Sequence, residues 1–199
     1  MWEQFYAPTE RHQDHFKYAK ELTTTYGMPL FSTPDAVNTI SRGYPMKAKY
    51  KYKLANCGFS IMALPVPHGD CPNYAYVIDH PDTGRIVFAT DCEDFPYDIK
   101  DVTTLMIEAN YSEEILLNKA LDGEDIRSRS ETHMEISRCV SAIERLCSPK
   151  LRRVVLLHLS DGFSDERAFI GAVREVVGDM VEVYAADKGM RIGLDKDWF

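Results

Sequence analysis

Apolar and polar positions along this chain change period near its middle. Phe16 to Tyr26 has Phe16, Ala19 and Leu22 at helical spacing, which predicts a helix. Gly27 stops it and Pro29 prevents its resumption. Met28 to Ser32 is short and apolar, a strand pattern, and Thr33 to Pro45 is loop-like with room for one helical turn. A run of strands follows. Lys47 to Leu54 alternates basic with apolar or aromatic residues, and Gly58 to Pro65 and Tyr74 to Asp79 are β-like. His80-Pro81-Asp82-Thr83-Gly84 is turn chemistry. Arg85 to Thr90 and Thr103 to Glu108 have the continuous apolar character of buried strands.

The second half reads differently. Ser112 to Leu121 and Thr132 to Leu146 predict helices, and Thr132 with Glu135 three residues on has the spacing of a capping box. Arg153 to Leu159 predicts a strand, Ser164 to Val177 a helix, and Met180 to Tyr184 a last strand. Strands first, then alternating helix and strand, predict a layered α/β domain in which helices cover sheet. No linker, repeat or low-complexity tract divides residues 1–199, so one domain is expected.

Composition narrows the class. With 45% hydrophobic and 27% charged residues the chain has the balance of a globular domain, and disorder needs fewer apolar residues. No apolar run approaches the roughly 20 residues of a membrane span, and no signal-peptide pattern opens the sequence. Five cysteines, an odd number with no C-x-x-C pair, point to reduced thiols and a cytoplasmic protein. A net charge of −8 repels long nucleic acid over the average surface. A small anionic substrate remains compatible, because bound divalent cations reverse a local field.

The chemistry gathers at a few points. His12, Asp14 and His15 lie within four residues just before a helix. Imidazole and carboxylate suit Zn²⁺, Mn²⁺, Fe or Ni²⁺, and residues two apart on an extended segment share a side, so this segment can serve two nearby metals. The alternative is a helix-cap or surface cluster. Three further positions strengthen the metal reading. His68 follows a strand-like run, Asp91 ends a buried strand and His158 ends another. Functional groups collect at strand ends, where loops converge. Each taken singly also reads as a satisfied histidine or a capping aspartate.

Together these residues resemble the metallo-β-lactamase-fold hydrolases. Thr9-Glu10-Arg11-His12-Gln13-Asp14-His15 is similar to that family's T-H-x-H-x-D-H, and single His, Asp and His residues follow at strand ends in the family's order. Phe88-Ala89-Thr90-Asp91 and Leu157-His158-Leu159-Ser160-Asp161 look most like a bacterial and phage branch of phosphodiesterases and nucleases. The resemblance implies an αββα sandwich and two divalent transition metal ions, Zn or Mn. It implies that His12 and His68 hold one metal, that Asp14, His15 and His158 hold the second, and that Asp91 bridges them. It gives catalytic roles to Asp14 and to His133, which contacts phosphate and protonates the leaving group in related phosphodiesterases; an imidazole suits proton transfer near neutral pH. Arg127 and Arg129 are matched to phosphate by guanidinium geometry. The alternative for residues 127–133 is a solvated loop. His80 reads as a surface residue and Cys92 as a small packed side chain.

Two departures from the family pattern stand out. Glu10 occupies the place of the leading His; a carboxylate can coordinate Zn²⁺ or Mn²⁺, with different geometry and charge. Only nine residues precede it, so the first N-terminal strands of the sandwich are expected to be lacking. The uncovered sheet would favour self-association, and a homo-oligomer is expected. The expected function is hydrolysis of a phosphodiester in a nucleotide or at a nucleic-acid end, a small substrate being favoured over a long polymer. The competing readings are a degenerate member that binds a nucleotide or protein partner, and a thioester, lactone or β-lactam hydrolase.

Overall fold

The structure is a computed structural model that describes residues 6–10, 16–40, 43–54, 57–123, 126 and 131–195. Its frame is a mixed sheet of seven strands in sequential order. The strands are β3 (Lys51–Lys53), β4 (Ser60–Val66), β5 (Asn73–His80), β6 (Gly84–Ala89), β7 (Val102–Glu108), β8 (Arg153–Leu157) and β9 (Glu182–Ala185). β3 to β6 pair antiparallel, and β6 to β9 pair parallel. The change of pairing, at β6–β7, comes one strand before the change of period in the sequence. Hairpins need only short turns, whereas parallel neighbours need crossovers.

Alternation along the strands gives the sheet two faces. Leu64, Val66, Ala75, Val77, Val87, Ala89, Leu105, Ile107, Val154, Leu156 and Val183 form one face of the main core. Helices α4 (Ile136–Leu146) and α5 (Glu166–Val177), which follow α3 (Glu113–Leu121) in the chain, cover it, through Cys139, Ala142, Ile143, Leu146, Phe169 and Val173. Their apolar residues recur at helical spacing on one side, as an amphipathic helix requires. The other face of β4 and β5 carries Ile61, Ala63, Tyr74 and Tyr76, with Met46 and Phe31 packed on them. Among the described residues the second sheet consists of β1 (Phe31–Ser32) and β2 (Tyr44–Pro45), paired in parallel. The helices α1 (Ala19–Thr24) and α2 (Pro34–Ile40) stand beside this pair, packed through Phe16, Ala19, Leu30, Ala36 and Val37. The sequence allowed one helical turn within 33–45; α2 is seven residues long.

Local chemistry accounts for the element ends. Gly27 has φ +65° and terminates α1 as expected. Gly84 has φ +73° in the β5–β6 turn, and a Cβ there would come within 2.5 Å of Thr103 Cγ2. Two expectations are corrected. The capping box at Thr132 is absent: α4 begins at Ile136, and Glu135 itself is the N-cap, accepting from Ser137 N. The segment before it is held extended, since Asn110 N–H donates to Met134 O at 2.9 Å and Ile136 N–H to Tyr111 O at 2.9 Å. His80 is likewise no surface residue. It closes β5 opposite Gly84, and its ring lies 4.4 Å from that of Phe59.

Candidate metal centre

The ends of β4, β6, β7 and β8 bring His68, Asp91, Glu108 and His158 to one edge of the sheet. Glu10 reaches them from the other layer. Its segment is fixed by Tyr76 Oη and Ser32 Oγ, which donate to Pro8 O at 2.8 and 2.7 Å, and by Tyr74 N–H, which donates to Thr9 O at 3.1 Å. His133 arrives in a bend just before the extended Met134–Glu135 pair that precedes α4.

Two groups of donors have metal-ligand spacing. In each of Glu10–His68–Asp91 and Asp91–His133–His158, one ligand atom per residue lies within 4.8 Å of the others. Asp91 belongs to both. His68 Nε2 is 3.9 Å from Glu10 Oε1. His68 Nδ1 is 2.9 Å from Thr132 O. A carbonyl can only accept, so Nδ1 carries the proton and Nε2 presents its lone pair to the site. His133 Nδ1 lies 2.7 Å from Glu108 Oε1, and His158 Nδ1 lies 3.2 Å from both Glu108 Oε1 and Asp91 Oδ1. The rings of His68 and His158 are 5.7 and 4.9 Å from that of His133, which sits between them.

The backbone is strained at two of these donors. Asp91 has φ +51° and His158 φ +56°, in the left-handed region that costs a non-glycine residue about 1–3 kcal/mol. An asparagine amide holds each. Asn73 Nδ2 donates to Thr90 O at 3.0 Å and to Asp91 O, and Asn110 Nδ2 donates to His158 O at 2.8 Å. Thr90 Oγ1 donates to Asp91 Oδ2 at 2.9 Å, leaving Oδ1 toward His158. Cys71 Sγ donates to Glu10 Oε2 at 2.9 Å, and Cys92 N–H to Glu108 Oε2 at 2.6 Å.

Glu10, Asp91 and Glu108 are only 1%, 4% and 0% exposed. Three carboxylates buried this close are costly unless cations compensate them. The neighbouring donors are imidazoles, so the set fits a divalent transition cation. Cys92 is packed away: burial, followed by the charges of Glu108 and Asp91, pushes its thiol well above the ordinary value. It stays a neutral side chain in the core.

The expected site is thus gathered in part. Glu10, His68, Asp91 and His158 come together, and His133 joins them instead of standing in a solvated loop. Its place among the ligand-spaced donors goes beyond the phosphate-contacting role expected of it. His12, Asp14, His15, Arg127 and Arg129 lie outside the described residues. Sequence reasoning missed Glu108, Asn73, Asn110 and Cys71. Glu108 carried a readable signal, a charge ending a buried apolar strand, which is the signal that singled out Asp91.

A mixed sheet covered by helices, with buried carboxylates and imidazoles at the ends of its strands, defines the class of metal-dependent hydrolases with the metallo-β-lactamase fold. The chain belongs to the beta-lactamase superfamily domain family, whose model matches residues 8–159, from just before Glu10 to just after His158. Among solved structures, the metallo-β-lactamase fold protein YhfI from Bacillus subtilis is 16% identical with a TM-score of 0.70, covering 92% of this chain and 75% of its own. The metallo hydrolase Igni18 from Ignicoccus hospitalis is 17% identical with a TM-score of 0.70, covering 94% and 77%. Yeast PDE1 is 12% identical with a TM-score of 0.63, covering 94% and 67%. At these identities the likeness is one of fold. No curated protein matches the chain by sequence. No described helix is long and apolar enough to cross a membrane.

Proposed function

We propose that this protein is a metal-dependent phosphodiesterase acting on a nucleotide or on a nucleic-acid end. The observation that carries the reading is Asp91, shared by two ligand-spaced groups, with His133 held beside it on a buried carboxylate. Glu10, His68 and Asp91 would hold one divalent cation. Asp91, His158 and, by the sequence reading, His12, Asp14 and His15 would complete the binuclear set, with Zn²⁺ or Mn²⁺ as occupant. Cations bound there supply Lewis acidity and let water act as a nucleophile at neutral pH.

The chain's own groups do the rest. Glu108 keeps the His133 proton on Nδ1 and orients the ring. At 19% exposure, the His133 side chain is reachable from solvent. With a second proton on Nε2 the ring is an imidazolium paired with the Glu108 carboxylate, and passing that proton to the leaving oxygen returns it to the neutral Nδ1–H imidazole. Arg127 and Arg129 supply phosphate recognition in this reading. The competing thioester, lactone or β-lactam hydrolase needs no group of that kind.

Turnover of bis(p-nitrophenyl) phosphate with added Mn²⁺ or Zn²⁺, run beside thioester, lactone and β-lactam substrates, tests the assignment. Hydrolysis of the phosphodiester alone is expected. Activity confined to the other substrates overturns it, and binding of nucleotide without any turnover makes the protein a degenerate member. The homo-oligomer belongs to the same proposal, and a clean monomer in light scattering removes it.

A further inference from the structure

The chain is acidic overall, yet four of its 23 basic residues fall in seven consecutive positions, Lys47-Ala48-Lys49-Tyr50-Lys51-Tyr52-Lys53, with no acidic residue among them. This stretch leads through a turn at residues 47–50 into the edge strand of the large sheet. Its last three residues are β3, which among the described residues pairs with β4 alone. All four lysines are exposed. Lys51 is tied to Asp79 at 2.6 Å, while Lys49 Nζ lies 5.3 Å over the ring of Tyr97. Tyr50 is 54% exposed, and its ring meets Tyr52 edge to face at 4.9 Å. Strand alternation sends Lys51 and Lys53 to one side of the edge and Tyr52, with Tyr50 against it, to the other.

The strip also has a direction. Lys53 is opposite Ser60 and Lys51 opposite Met62, and Lys49 N–H donates to Ala63 O at 2.8 Å. Moving from Lys53 to Lys49 therefore follows β4 toward its end, beyond which stands His68, and the chain turns at residues 47–50, where Tyr50 N–H donates to Lys47 O at 3.3 Å. Tyr97, under Lys49, donates its hydroxyl to Pro65 O at 2.6 Å on that same end. The turn is fixed before any ligand arrives, since Lys47 N–H donates to Tyr52 Oη at 2.8 Å.

We propose that residues 47–53 form a binding strip for single-stranded nucleic acid, whose phosphates lie along the lysines and of which a base stacks on the exposed Tyr50, held in place by the core-packed Tyr52, and which leads an end of the strand toward the metal centre. Aromatic rings alternating with lysines suit this ligand because every base has a face to stack and every nucleotide a phosphate. The inference rests on the phosphodiesterase reading for its purpose, and narrows the substrate from any phosphodiester to a nucleic-acid end. The charge of −8 repels a polyanion on average, whereas this edge reverses the field locally.

The test is fluorescence anisotropy of a labelled 12-nucleotide single strand with the full chain kept in EDTA, so that no cleavage interferes. Specific binding is expected. Three lysines free to meet phosphate give a log–log salt slope of about −2, or roughly a 20-fold loss of affinity between 50 and 200 mM salt. The triple variant Lys47→Glu/Lys49→Glu/Lys53→Glu should weaken binding at least about tenfold, and Tyr50→Ala at least about fivefold. Lys47→Gln/Lys49→Gln/Lys53→Gln serves as a gentler charge removal, and all variants should keep wild-type turnover of bis(p-nitrophenyl) phosphate. Binding unchanged in these variants overturns the proposal, as does binding to phosphatidylserine vesicles without binding to the oligonucleotide. Aggregation of the variants with affinity unchanged also overturns it and makes the lysines edge guards. Oligonucleotide binding without phosphodiester turnover leaves the strip standing and removes the hydrolase reading; turnover without oligonucleotide binding does the reverse.

Discussion

Single side chains at the centre have separable duties. His133→Ala should lower kcat by about 100-fold or more, the usual size of a lost general acid, while metal content measured by plasma emission stays at the wild-type level. Equal loss of metal and turnover would make His133 a ligand, a place its spacing from Asp91 and His158 also allows. Glu10 differs in kind. It is buried with one oxygen toward His68 and the other accepting from Cys71. Glu10→Gln keeps the shape and removes the charge, so the affinity of one metal site should fall by at least about tenfold in chelator competition, with the fold intact by circular dichroism. An unchanged affinity would show Glu10 to be a bystander. His68, Asp91 and His158 were legible in the sequence because each follows or ends an apolar strand. Asn73 and Asn110 were not, because their role is to hold strained carbonyls that only the folded backbone creates.

At the level of elements, the antiparallel half of the sheet is tied by charge as well as by backbone bonds. Asp79 on β5 accepts from Arg85 Nε on β6 at 2.8 Å and from Lys51 Nζ on β3 at 2.6 Å. Burial alone would raise its carboxyl, but the hydrogen bonds and charges of Arg85 and Lys51 outweigh that and hold it below the ordinary 3.8. A depressed carboxylate stabilises the fold above its unfolded value, and that contribution is lost as pH falls through the folded one. Urea midpoints should therefore drop on acidification below about pH 4, and Arg85→Ala should flatten the drop. Most elements were legible at this scale, since β4 to β7 match the stretches read from periodicity to within two residues at either end, and β8 and the last helix lie inside theirs. The start of α4 was misread. Thr132 and Glu135 satisfy a capping pattern locally, but Tyr111 and Asn110 on the strand-end loop claim the backbone of Met134 and Ile136, and the helix begins later.

For the whole molecule, one helix-covered core carries the stability. Leu105 on the interior strand β7 is fully buried within it, and Leu105→Ala should cost about 2–5 kcal/mol by urea denaturation, with the loss set by how far α4 and α5 can settle into the cavity. A loss under about 1 kcal/mol would place the stabilising core elsewhere. The sequence by itself determined the class of fold, because a period of two followed by alternating strand and helix leaves few ways to bury both patterns. It also marked His68, Asp91 and His158 as candidate ligands, because charges at the ends of apolar strands have no packing reason to be there, but it did not mark His133 as one. The pairing of those ligands was decided by tertiary structure. Glu10 and His68 are 58 positions apart and His68 and His158 are 90 apart, and only the layer-on-sheet packing and the parallel register of β6, β7 and β8 bring them around Asp91. Glu108 became part of the centre in the same way: its charge was visible at the end of β7, but the histidines that meet it come from elements distant in the chain.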